Sequence, residues 1–160
     1  MKQNVPFLKI LAGWFLLSSG FLLSACSSAN PTGTCAPADF FVAGSWQSAF
    51  RCQDDNPSFG CFTGTDTLTL SQDGSSAQPG NNLSFTDSNG GSFSGQLCGS
   101  TFTWTGTGPG ITEEGTWEFS DAQNFSKTTQ YERTDGSGGG DCEGDGTEVS
   151  LAIPVAPTCP

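Results

Sequence analysis

The chain contains no histidine among its 160 residues. The side chain that titrates near neutral pH is therefore missing, and with it Ser-His and Cys-His nucleophile pairs. Cations are scarce as well, with five Lys and Arg against sixteen Asp and Glu. Two of the five, Lys2 and Lys9, lie in the first nine residues. From residue 26 onward only Arg51, Lys127 and Arg133 face all sixteen acids, a balance of −13. Such a surface repels phosphate backbones and anionic lipid headgroups, so nucleic acid is not an expected partner. A cationic protein or ligand is attracted instead. Aliphatic residues are few: from residue 26 there are five Leu, two Ile and three Val, beside ten Phe, three Trp and one Tyr. Long apolar runs are missing too. The run "ILAGWFLLSSGFLL" at 10–23 is shorter than the ~20 residues a helix needs to span a bilayer.

That run instead reads as a signal-peptide core. It follows "MKQNVPFLK", which carries two lysines and no acid, and it ends on Leu23-Ser24-Ala25-Cys26. This arrangement resembles the lipobox of bacterial lipoproteins. The resemblance implies that residues 1–25 are a removed signal peptide and that Cys26 is the lipid attachment site and first mature residue. Each acyl CH₂ buried in lipid contributes ~0.8 kcal/mol, and two or more chains anchor stably. Ser27 stands where an Asp would imply inner-membrane retention, so the family likeness implies a cell-envelope protein of the outer membrane. Residues 26–38 are expected to form the lipidated N-terminus and a flexible tether, and 39–160 one all-β domain.

With Cys26 lipidated, six of the seven cysteines remain: Cys35, Cys52, Cys61, Cys98, Cys142 and Cys159. An even number in an exported chain, with no CxxC pair, implies three disulfides. The expected pairing is Cys52–Cys61 across a hairpin loop, Cys35–Cys159 between the chain ends, and Cys98–Cys142 by remainder. Disulfides and large aromatics then offset the thin aliphatic core.

Apolar residues alternate with period two in eight short runs, the mark of half-buried strands. Trp46, Ser48 and Phe50 share one face, as do Leu68 and Leu70, Leu83 and Phe85, and Phe93, Gly95 and Leu97. Phe102 and Trp104, Trp117 and Phe119, and then Phe125, Lys127, Thr129 and Tyr131 follow, with Val149, Leu151 and Ile153 as the eighth run. "QDG" at 72–74, "SNGG" at 88–91 and "GPG" at 108–110 read as turns between them. Short connections without helical content favour an antiparallel meander. The expected fold is a single up-and-down barrel of about eight strands, stapled by disulfides, with a β-sandwich as the alternative.

"GSW" at 44–46, echoed by "GTW" at 115–117, resembles the Gly-x-Trp motif that opens lipocalins and related calycin barrels. That likeness implies a barrel that holds a small apolar ligand. A lipoprotein start with a disulfide-bonded small barrel is also similar to the periplasmic lysozyme-inhibitor lipoproteins, which implies a cationic enzyme as partner.

Trp46, Trp104, Trp117 and Tyr131 are the candidate ligand-lining residues, unless they simply plug the interior of a small barrel. Lys127 shares the apolar face, and its expected place is the rim, with the ammonium in water. Glu113 and Glu114 are a pair of adjacent carboxylates, read as a solvated hairpin tip rather than an acid/base couple. Asp141, Glu143 and Asp145 match the opening of a calcium loop, but its twelfth position falls on Ala152, so 135–148 reads as a polar hairpin loop. No catalytic residue and no cofactor is expected. The leading functional expectation is protein binding through the acidic, loop-bearing barrel end. The alternatives are a carrier or sensor of a small apolar ligand and a structural envelope lipoprotein.

Overall fold

The computed structural model describes residues 34–160. The signal segment, the lipobox and Cys26 lie outside the described residues. Eight strands follow in chain order: β1 (Gly44–Asp54), β2 (Cys61–Ser75), β3 (Gln78–Asp87), β4 (Ser92–Cys98), β5 (Thr101–Gly108), β6 (Ile111–Asp121), β7 (Asn124–Arg133) and β8 (Gly139–Glu148). Each pairs antiparallel with its neighbour, and β1 also pairs with β8, so the sheet closes into a barrel. Closure removes the sandwich alternative and leaves no unpaired edge.

Register fixes the shape. Asp54 pairs with Gly140, then the path runs through Tyr131, Glu113, Gly106, Phe93, Phe85 and Leu70 to Gly44. One circuit therefore returns to β1 ten residues from where it began. This stagger tilts the strands and widens an eight-stranded barrel enough for side chains to fill it or for one small ligand to enter.

Seven of the eight strands carry the alternation read from the sequence. Trp46, Leu70, Leu83, Leu97, Phe102, Phe119 and Phe125 point inward and are buried. The eighth strand is a correction. Val149, Leu151 and Ile153 lie outside it and are exposed, while the Gly-rich acidic stretch, expected as a loop, forms β8. Its inward positions are Gly140, Cys142, Gly144 and Gly146, which carry no apolar signal. A Cβ on Gly146 would collide with the Phe125 ring, and at Gly140 and Gly144 it would meet the β1 backbone. Another correction concerns "QDG", which lies within β2 at a register shift between Gln72 and Gly74. The turn comes two residues later. Gln72 is drawn inward there because its amide is needed elsewhere.

The chain before β1 crosses one barrel end and closes it. Val42 N donates to Gln72 Oε1 at 2.7 Å, Gln72 Nε2 donates to Phe40 O at 3.0 Å, and Trp46 Nε1 donates to Val42 O at 2.9 Å. Ala38 and Val42 are buried against the core. Residues 35–38, expected in the tether, belong to this cap, since Asp39 N donates to Gly99 O and Gly99 N to Ala36 O.

All six cysteines are bridged, but none of the expected pairs forms. The bonds are Cys35–Cys98, Cys52–Cys142 and Cys61–Cys159. Side-chain parity explains the first failure. Cys52 shares the inward face of Trp46, Ser48 and Phe50, whereas Cys61 pairs with Gln53 and faces outward, so the two cannot meet across the hairpin. Cys52 instead opposes Cys142 across the β1–β8 seam. Cys35 comes with the cap to the end of β4. The C-terminal tail leaves the closed end, bonds to Gln47 and Arg51 on the outer face of β1, and brings Cys159 back to Cys61 at the opposite end.

Candidate functional site: an aromatic cup with charged walls

The end opposite the cap is open. The barrel interior there is a cavity of about 530 Å³, and it carries the loops 55–60, 88–91, 109–110 and 134–138. The plug reading therefore holds for the closed half only. Phe85, Phe93, Trp104 and Trp117 make its floor, and their rings meet edge-on or stacked at 4.5–5.9 Å between the centroids of each contacting pair. Such packing holds the rings in fixed orientations. Gly115, opposite Trp104 in the register, is part of the second Gly-x-Trp copy. A Cβ there would stand 2.8 Å from the Trp104 ring, so only glycine lets that indole lie across β6.

Of the four candidate lining residues, Trp104, Trp117 and Tyr131 border the cup. Trp46 does not. It opens β1 at the closed end, packed on Phe119 and Phe125 with centroids 5.7 and 5.4 Å away.

Charged side chains line the walls above the aromatic floor. Lys127 Nζ lies 4.7 Å above the Phe50 ring centroid, which corrects the expectation of an ammonium projecting into water. Burial pulls its pKa down, while Asp66, Glu113 and Asp87 oppose that shift. Glu113 is pushed up to about 7, chiefly by burial, with Asp87 and Asp66 adding repulsion and Lys127 countering them. The hairpin-tip reading of Glu113-Glu114 is thus corrected: both lie on β6, with Glu113 inward and Glu114 outward. Asp66 is also raised by burial and accepts from Asn89 Nδ2 at 2.9 Å. Asp87 Oδ1 caps the β3–β4 hairpin by accepting from Asn89 N and Gly91 N.

A second group locks the mouth. Asp54 accepts from Arg133 Nη2 at 2.6 Å and from the Tyr131 hydroxyl, and also from Asn56 N at the start of the β1–β2 loop. The Arg133 guanidinium holds the Asp54 carboxyl down to about 2. Burial, with Asp54 beside it, pushes the Tyr131 phenol up to about 12. Arg133 also lies on the face of Phe59, 4.1 Å from the centroid. Asp54 and Arg133 neutralise each other, so this group is a latch. Asp66, Asp87 and Glu113 face Lys127 alone.

Two floor groups lack partners. The indole N–H groups of Trp104 and Trp117 are buried without a hydrogen-bond acceptor among the described residues. Neither Glu113 nor Lys127 is held by a hydrogen bond among the described residues. A buried polar group without a partner is uncommon in a folded protein and calls for a reason. The sequence reading passes over Asp66 and Asp87 and takes Glu113 for a hairpin tip, although parity with Leu68, Phe85 and Trp117 marks each as inward.

The calcium candidate does not assemble. Asp141, Glu143 and Asp145 alternate along the outward face of β8, where steps of two residues separate them by ~7 Å. Glu143 pairs with Arg51 at 2.5 Å, and Asp141 accepts from Gln130. Among the described residues no group of three or more acidic or cysteine side chains is placed to hold a metal. No family model matches the chain, and no curated protein matches it in sequence.

Proposed function

We propose that this chain is a lipid-anchored envelope protein whose barrel takes up a small, largely apolar ligand and performs no chemistry on it. One observation carries the reading: the barrel is filled at one end and hollow at the other. A protein that only needed a stable core would gain by filling the cup, since a large buried apolar side chain contributes roughly 1.5–3 kcal/mol. The cup's volume lies within the usual ~300–1,000 Å³ of small-molecule sites, and its aromatic lining with a few convergent polar groups fits the same class. The anchor reading rests on the Leu23-Ser24-Ala25-Cys26 placement.

Saturable quenching of Trp fluorescence by a neutral apolar probe, unchanged by salt, is the expected result for the full chain. Trp104 and Trp117 lie at the floor and report directly. A chain that ignored every small probe but captured basic proteins at low salt would favour protein binding instead. The anchor is tested separately, by loss of fatty-acid-analogue labelling in Cys26→Ala.

A further inference from the structure

Resting on that reading, we infer that the cup's ligand is an organic cation: an apolar body bearing an ammonium group, seated between the aromatic floor and the wall carboxylates. The reasoning is one of charge balance in a confined space. Every strand that turns a titratable group into the cup can be named. Asp66 comes from β2, Asp87 from β3, Glu113 from β6, and Lys127, Tyr131 and Arg133 from β7, while Asp54 of β1, itself buried, pairs with Arg133. Asp54 and Arg133 cancel and Tyr131 is neutral. Three carboxyls are left against one ammonium.

Lys127 shows how the cup accommodates a cation. Its ammonium sits on an aromatic face, burial disfavours its charge while the neighbouring carboxylates favour it, and no ion pair fixes it among the described residues. Aromatic faces attract ammonium groups through their ring quadrupole, most strongly when water is excluded. Phe93, Trp104 and Phe85 offer further faces beside the same acids. An anionic ligand would have to share the cup with those acids, because Lys127, the one free ammonium among the described residues, is already opposed by all three.

The pH dependence has a defined sign. Glu113 loses its proton near pH 7, and burial makes Lys127 give up its proton more readily than an exposed lysine. Both changes make the cup more negative. Cation affinity therefore rises with pH through neutrality.

The test uses three probes with one apolar body, octyltrimethylammonium chloride, octanol and octanoate, titrated into the full chain and read by Trp fluorescence. The expected order is cation, then alcohol, then carboxylate, with about tenfold between cation and alcohol, as partly buried charges a few ångströms apart imply. Glu113→Gln should weaken the cation and flatten its pH profile. Lys127→Met should strengthen the cation, because it removes the internal competitor; an anion site would lose its ligand in the same variant. Saturable Trp quenching by octanol retained in both variants, whatever its affinity, reports an intact cup. Should Glu113→Gln not fold, Asp66→Asn gives the same sign. Equal binding of all three probes, or preference for octanoate, overturns the cation inference but leaves the cup reading standing. If no probe binds, the cup reading itself fails.

Discussion

The two ends of this barrel are built from the same strands on opposite terms. At the closed end the inward residues are mostly aromatic or aliphatic, and the cap's polar groups find partners through the inward Gln72 and Trp46. At the open end the same strands turn Asp66, Asp87, Glu113 and Lys127 into the interior, and the last two have no hydrogen-bond partner among the described residues. Closed-end residues satisfy one another. Open-end residues leave both space and unmet electrostatic demand. The contrast separates the part that holds the fold from the part available to a ligand, although the same strands build both.

Core truncation should break this contrast most strongly. Phe102→Ala, at a fully buried closed-end position, is expected to cost ~3–5 kcal/mol in urea denaturation. Phe62→Ala at the mouth, where the ring is 39 % exposed, should cost under ~1 kcal/mol. Equal costs would mean that the mouth also carries the fold.

The bridges come next. Cys35–Cys98 ties the cap to β4, so replacing both cysteines by Ser should cost ~2–4 kcal/mol and raise proteolysis before β1. Non-reducing peptide maps should return 35–98, 52–142 and 61–159. Recovery of Cys52–Cys61 would contradict the inward parity of Cys52.

A smaller effect sharpens the comparison through pH. Asp54, held near 2 against an ordinary 3.8, stabilises the fold fully above that ordinary value, and the contribution fades as pH falls through about 2. Glu113 does the reverse. Raised to about 7 from 4.5, it keeps its proton longer in the folded chain than in the unfolded one, so stability declines as pH rises between those values. Asp54→Asn should flatten the acid limb of the stability–pH curve, and Glu113→Gln the near-neutral slope. The smallest effect belongs to Ser48, whose buried hydroxyl has no partner. Ser48→Ala should change stability by less than ~1 kcal/mol and in the stabilising direction, since no bond is lost and an unsatisfied group is removed.

The sequence was informative where large residues alternate and uninformative where glycine does. Trp46, Ser48 and Phe50 announce β1, and the same count carried to Cys52 would have placed that thiol inside. β8 could not announce itself, because its inward glycines face the β1 backbone at Gly144 and the Phe125 ring at Gly146. Packing complementarity of that kind exists only once the neighbours are known. Glu113 is an intermediate case. Its position is readable by counting back from Trp117 through Gly115, but the Pro-Gly turn nearby and the second glutamate draw the eye to a hairpin. Trp46 shows the converse limit: parity says that it points inward, not which half of the barrel it occupies. The cup depends on register, and a ten-residue stagger cannot be counted along one strand.

The division between a filled end and a receptive end is tested most directly by amide chemical-shift mapping of the full chain during titration with octyltrimethylammonium. The account predicts saturable shifts around Phe50, Asp66, Glu113, Lys127 and Trp104, with Val42, Leu97 and Phe102 unmoved. Shifts confined to the outer face, or spread equally through the closed end, would contradict it.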